Sequence, residues 1–209
     1  MSDTLKADGS VLTRQEQRTA KTRQALLDAA LLVLEEVGYN EATVGLIAKT
    51  ARRAHGTFYV HFVNKEEIYS ELLKEMRERL HQGSRAVWDS NRPVESIRRS
   101  IDLYVRSFED DRTLWVLLDG SSATSALFRE ARRSLRDSLV TDIRKGIAST
   151  AAHVNLGNMD VALVCEILAA MLEETCVTSL LYGEGTAREK ITDHVSRMWG
   201  RILGYDMRS

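Results

Sequence analysis

Residues 43–65 read TVGLIAKTARRAHGTFYVHFVNK, and the fold follows from how that stretch divides. Thr43 is placed to cap a helix in which Val44, Ile47, Ala48 and Ala51 recur at i, i+3, i+4 and i+7, one apolar face. Ala48 is small enough for a second helix to cross closely. After a break at Arg52-Arg53-Ala54, residues 55–62 form a run too short to fold alone. It places Phe58 and Phe62 toward a core and turns His55, Thr57, Tyr59 and His61 elsewhere. Helix, tight turn and second helix with exposed polar groups is the helix-turn-helix pattern, in which the second helix enters the major groove. The expected DNA-facing set is therefore Thr43, Val44, Arg52, Arg53, His55, Gly56, Thr57, Tyr59, His61 and Lys65. His55 and Thr57 are expected at base edges, and Gly56 lets the backbone approach. Tyr59, His61, Lys65 and the two arginines are expected on phosphates, which fix register without reading sequence.

The run GTFYVHFVNKEEIY is similar to the signature of the TetR family of bacterial transcriptional repressors, and the likeness reaches back through ALLDAALLVLEEVGYNEATV. It covers roughly residues 21–80. The resemblance implies an all-α protein: a three-helix DNA-binding domain followed by a helical ligand-binding and dimerisation domain, about nine helices altogether. It also implies a ligand-responsive regulator that grips a palindromic operator as a homodimer. The chain departs from the family at the turn, where Ala-Gly-Val-Ser is usual and Ala51-Arg52-Arg53-Ala54 stands here. Arg52 then occupies a position that normally takes φ > 0, at a cost of roughly 1 kcal/mol. Ala54 forgoes a serine cap worth about 1 kcal/mol. Two readings remain open: the arginines add phosphate contacts, or the motif has drifted and binds DNA weakly.

Composition sets the outer limits. The 209 residues are 44% apolar with one proline, and net charge is −1, so no global basic signature exists. Between positions 14 and 65, eight basic residues face five acidic ones. No apolar run reaches the ~18 residues of a membrane span, and the N-terminus lacks a signal peptide's apolar core, so the expected compartment is the cytoplasm. Cys165 and Cys176 lie eleven positions apart on one expected helix, about 16 Å along its axis, too far to pair within a subunit. They read as buried thiols.

The expected organisation is a disordered arm (1–12), a DNA-binding domain (13–64) and a ligand-binding and dimerisation domain (65–209). Thr13-Arg14-Gln15-Glu16 fits a capping box. The helix it opens carries Leu27, Ala30, Leu31, Leu34 and Val37 and stops at Gly38. Asn64 caps a long helix running toward Trp88, the lever between the two domains, and Pro93 opens the next. Arg129, Arg132, Arg133 and Arg136, interspersed with Glu130 and Asp137, read as a solvated face. Two apolar helices near 159–182 and 187–204 should pack antiparallel, and the resemblance makes them the homodimer interface.

The C-terminal part lacks a phosphate-binding glycine loop, a nucleophile elbow and any metal-spaced His or Cys set, so neither an enzyme, a cofactor nor a metal is expected. Tyr104, Phe108, Trp115, Leu118, Phe128, Met171 and Glu174 are the expected lining of a cavity for a small, mainly apolar effector. Core packing is the competing role for each apolar member, and solvation for the glutamate. MLEETCVTSLLYGEG and VSRMWGRILGYD also resemble one branch of the family, that of the repressor of ethionamide activation. That likeness implies a long apolar tunnel, although Ala169 and Leu172 stand where the branch has two asparagines.

Overall fold

A computed structural model describes residues 13–121, 125–150, 154, 156–183 and 185–205. Among these residues are nine α-helices, one π-helical turn and no strand, so the all-α class is as expected. The expected arm, 1–12, lies outside the described residues. The chain divides into two compact units, Met1–Leu72 and Leu73–Ser209. The division falls inside a helix rather than at its start.

The first unit opens with α1, Arg14–Glu41. Its capping box is closed in both directions: Glu16 N–H donates to Thr13 Oγ1 at 3.2 Å, and Thr13 N–H donates to Glu16 Oε2 at 2.8 Å. Gly38 (φ +74°, ψ 171°) breaks the helical path near its end, where the sequence placed a stop. The buried face is Leu26, Leu27, Ala30, Val33 and Leu34. Val37 is exposed and Leu31 half-buried, so the stripe runs slightly round the helix from its expected line. Helix α2 spans Val44–Thr50 and α3 spans His55–His61. Ile47, Ala48, Phe58 and Phe62 close the core between them. The first turns of α4, Lys65–Val87, complete it with Ile68, Tyr69 and Leu72, and Tyr69 Oη donates to the Ala30 carbonyl at 3.2 Å. Those contacts explain why α4 belongs in part to the first unit.

The second unit holds the rest of α4 with α5 (Pro93–Asp110), α6 (Arg112–Ser121), α7 (Ala126–Ser149), α8 (Val161–Cys176) and α9 (Arg188–Leu203). Helices α5 and α9 run antiparallel, tied by Arg98–Asp193 (3.2 Å) and Arg188–Glu109 (2.8 Å). Close approach is built in by two glycines. A Cβ at Gly83 would meet Leu103 Cδ2 at 2.6 Å, and one at Gly146 would meet the Trp88 ring at 2.8 Å. After α8 the chain continues through the π-helical turn Val177–Leu181. Cys165 and Cys176 are both free and buried, and burial with the Glu173 charge pushes the Cys176 thiol up to about 12.

The arginine face on α7 differs from its expected solvated state. Arg133 is exposed beside Glu130, as a solvated pair should be. Arg132 and Arg136 instead bracket the buried carboxylate of Glu173 at 3.3 and 2.8 Å, and Arg132 also reaches Asp119 at 2.8 Å. A carboxylate this deep is tolerated because two guanidiniums meet it.

Candidate functional site

In the first unit, the turn between α2 and α3 is closed by two hydrogen bonds. Arg53 N–H donates to Ala48 O (2.9 Å) and Arg52 N–H to Lys49 O (3.0 Å), the pairing of a Schellman motif. That geometry needs a left-handed residue after the helix, and Arg52 supplies it with φ +55° despite its Cβ. Both guanidiniums are exposed and form no ion pair among the described residues. Ala54, at the N-cap of α3, makes no side-chain cap bond, whereas Thr43 caps α2 by accepting from Leu46 N–H at 3.2 Å. Val44 behind it is half-buried.

Phe58 is fully buried and orients α3. With ~3.6 residues per turn, the positions two before and two after it lie on the opposite side. They are Gly56 and Val60. A Cβ at Gly56 would meet nothing within 4 Å, and Val60 is 76% exposed. No internal contact asks for a glycine at the first or a valine at the second. Val60 was missed because an apolar residue in a short helix reads as core; its register against Phe58 was the available signal. Thr57 and Tyr59 flank this face, Thr57 half-buried and Tyr59 exposed. His55 is exposed, edge-on to Tyr59 at 5.3 Å, and its ring rests 3.8 Å from a Cβ built on Gly45. Burial and the nearby Arg23 cation hold His61 below the usual imidazole range, so at neutral pH it carries an uncharged N–H donor.

Lys65 is placed differently from expectation. Its Nζ donates to the carbonyls of Tyr39 (2.9 Å), Ala42 (3.1 Å) and Asn40 (3.4 Å) and sits 4.5 Å from the Tyr39 ring centroid. An ammonium has three donors, and all three are engaged at the C-terminus of α1. This lysine ties α4 to α1 instead of waiting for a phosphate. Arg23 pairs with Glu71 at 3.3 Å and lies over Phe62.

The second unit contains a cavity whose water-accessible volume is about 70 Å³. Of the seven expected lining residues, Tyr104 alone faces it. Phe108, Trp115, Leu118 and Phe128 are buried core, because the aromatics fill space against one another: Phe108 stacks on Trp115 at 4.0 Å. Met171 is half-buried and Glu174 exposed on α8, where Leu172 lines the cavity in their stead. The wall is largely aliphatic, from α4, α5 and α7, with Trp88 and Trp199. Among the described residues, no group of His, Cys, Asp or Glu is arranged to hold a metal ion, and no helix is long and apolar enough to cross a membrane.

The α1–α3 arrangement, its tight turn and the outward face of α3 define a helix-turn-helix protein. Residues 26–72 match the model for bacterial regulatory proteins of the tetR family. Over this segment the chain is similar to that family. It is 26% identical over 140 residues to the uncharacterized HTH-type transcriptional regulator YhgD of Bacillus subtilis (strain 168), covering 62% of this chain and 71% of that one. The fatty acid metabolism regulator protein of the same organism is 45% identical over 60 residues, 29% of this chain and 30% of its own length. That second likeness spans less than a third of either chain. Among solved structures, the fold matches the SmeT–triclosan complex with a TM-score of 0.73 at 17% identity, over 87% of this chain and 90% of that one. It also matches the fatty acid degradation regulator FadR from Bacillus halodurans, with a TM-score of 0.69 at 21% identity, over 85% and 94%.

Proposed function

We propose that this chain is a cytoplasmic transcriptional repressor that binds a palindromic operator as a homodimer and is released by a small, mainly apolar molecule. One observation carries the reading: the face of α3 opposite Phe58, at Gly56 and Val60, has no internal partner, and the turn that leads into it carries the exposed Arg52 and Arg53. Thr57, His55 and Val60 read base edges on this account. Tyr59, His61 and the two arginines hold phosphates, with Thr43 and Val44 at the groove's border. The turn thus gains contacts that offset its missing cap.

Two half-sites one DNA turn apart, about 34 Å, require two heads. The α8 and α9 helices carry exposed apolar side chains, Leu163 (58%), Ile167 and Met198, which support a two-fold interface on this face. Ile167→Glu places a charge on that surface and is expected to yield monomers by analytical ultracentrifugation, with operator affinity lost alongside. A dimer unchanged by the substitution would refute this interface. The cavity belongs to the same scheme. Helix α4 carries lining residues Arg77, Leu80, His81 and Ser84 and, five residues before the first of them, the buried Leu72. Ligand that shifts α4 changes the spacing of the heads, and operator must weaken ligand by the factor by which ligand weakens operator.

The test is a gel shift on the promoter DNA of the chain's own transcription unit, with wild type and Gly56→Ala. Alanine is a better helix former than glycine by roughly 0.5–1 kcal/mol, so the variant should melt higher. Its methyl stands where DNA backbone must come close, so binding should fall at least roughly tenfold, the scale of one lost base-pair contact of ~1–3 kcal/mol. Wild type without affinity for the promoter, or equal binding by both, would overturn the reading.

A further inference from the structure

The cavity of the second unit is lined by an arginine that has no carboxylate partner among the described residues. Side-chain rungs join α4 to α7 along its length. Arg77 Nη1 donates to Ser134 Oγ at 2.6 Å, His81 Nδ1 lies 3.0 Å from Asp142 Oδ1, and beyond α4 the Trp88 indole N–H donates to Ser149 Oγ at 2.9 Å. Asp142 faces His81. Arg77 meets only a neutral hydroxyl and forms no ion pair among the described residues, though it is half-buried. A guanidinium does not lose its proton in a protein, and a partly buried charge without a counter-ion is unfavourable. Asp142, the one carboxylate among the lining residues, faces His81 and forms no ion pair with Arg77, and Leu80, Ile101, Leu135, Leu139, Ile143 and Ile147 are aliphatic.

From Arg77 the helix α4 runs ten residues to its end at Val87, about 15 Å at 1.5 Å per residue, and Trp88 follows directly. The Trp88 ring is pressed against Gly146 and bounds the cavity there. A cation at one end, a hydrocarbon wall and an aromatic at the other describe a slot for an amphiphile with a negative head. We propose that the cavity binds a medium-chain aliphatic carboxylate, its head paired with the Arg77 guanidinium and its chain running along α4 toward Trp88. A planar carboxylate matches the two-pronged fork of an arginine, which a single hydroxyl cannot fill. This assignment rests on the effector role given to the cavity above and names the effector's chemistry.

The experiment measures binding of decanoate, decanol and decylammonium to the full-length protein by calorimetry, below micelle-forming concentrations and without DNA. Decanoate should bind at least tenfold more tightly than the other two. Arg77→Gln should lower decanoate to the affinity of decanol and leave decanol unchanged. Arg77→Lys, which keeps the charge and loses the fork, should retain part of the preference, and it decides the matter should Arg77→Gln fail to fold. Equal binding of the three, preference for decylammonium, binding of none, or a preference that survives Arg77→Gln would each overturn the proposal. The regulator reading fails separately: Arg77-dependent decanoate binding by a protein with no affinity for promoter DNA would end that reading and leave this one standing.

Discussion

Phe58→Ala is expected to unfold the reading head and abolish DNA binding while the core of the second unit stays formed. Helix α3 has seven residues, about half of what an isolated helix needs to persist in water. Its N-cap makes no side-chain bond, and Gly56 lowers its intrinsic helicity further. What holds it is burial: Phe58 is 0% exposed and meets Phe62 at 5.6 Å between ring centroids. Truncating a buried phenylalanine to alanine costs roughly 3–5 kcal/mol, which is comparable with the lower end of the ~5–15 kcal/mol that stabilises a whole domain. Hydrogen exchange should therefore show the amides of α2 and α3 unprotected, with those of α5 and α9 still slow. Val60→Ala, on the same helix but facing outward, should change stability by no more than about 0.5 kcal/mol and should alter which operator bases are preferred. A Phe58→Ala head that melts where wild type melts would show that α3 is held by something other than its core face.

The helices themselves were legible because their ends carry local chemistry. Thr13, Thr43, Gly38 and Pro93 each act on backbone groups within a few residues, so caps, kink and starts can be read along the chain. The left-handed Arg52 was legible for the same reason, since it follows from where the turn must fall. The cavity was not. Periodicity identifies apolar faces, but it cannot tell an aromatic that lines a space from one that fills it, and the ring of Phe108 fills it against Trp115. Pairings over long sequence distance were equally hidden. Glu173 lies thirty-seven positions from Arg136, and nothing in the spacing of the α7 arginines announces a buried carboxylate on α8. Drift along a twenty-eight-residue helix moved the α1 stripe from Leu31 and Val37 to Leu26 and Val33. An ideal 3.6-residue period fixes a stripe's direction near its origin and loses it with length.

Lys65 shows how this limit bears on function, and Lys65→Met is the substitution that tests it. The ammonium lies among carbonyls twenty-three to twenty-six positions earlier, at the end of α1 where Gly38 breaks the regular ladder. Those carbonyls are the negative pole of a helix, so a cation there is favoured both by hydrogen bonds and by the dipole. Methionine keeps most of the stem and removes the charge. The head should lose about 2–3 kcal/mol, on the scale of charge-assisted hydrogen bonds of ~1.5–3 kcal/mol, and not their full sum, because the group is only half-buried. DNA binding should weaken in proportion to the unfolded fraction, with the dependence on salt unchanged. A true phosphate contact behaves otherwise: its removal lowers the slope of log K against log salt by about 0.9, the result expected for Arg53→Ala. Measuring both variants by salt titration, beside their melting curves, separates the roles. A Lys65→Met protein as stable as wild type but with a shallower salt slope would return this lysine to the DNA backbone and leave the last turn of α1 without its cation.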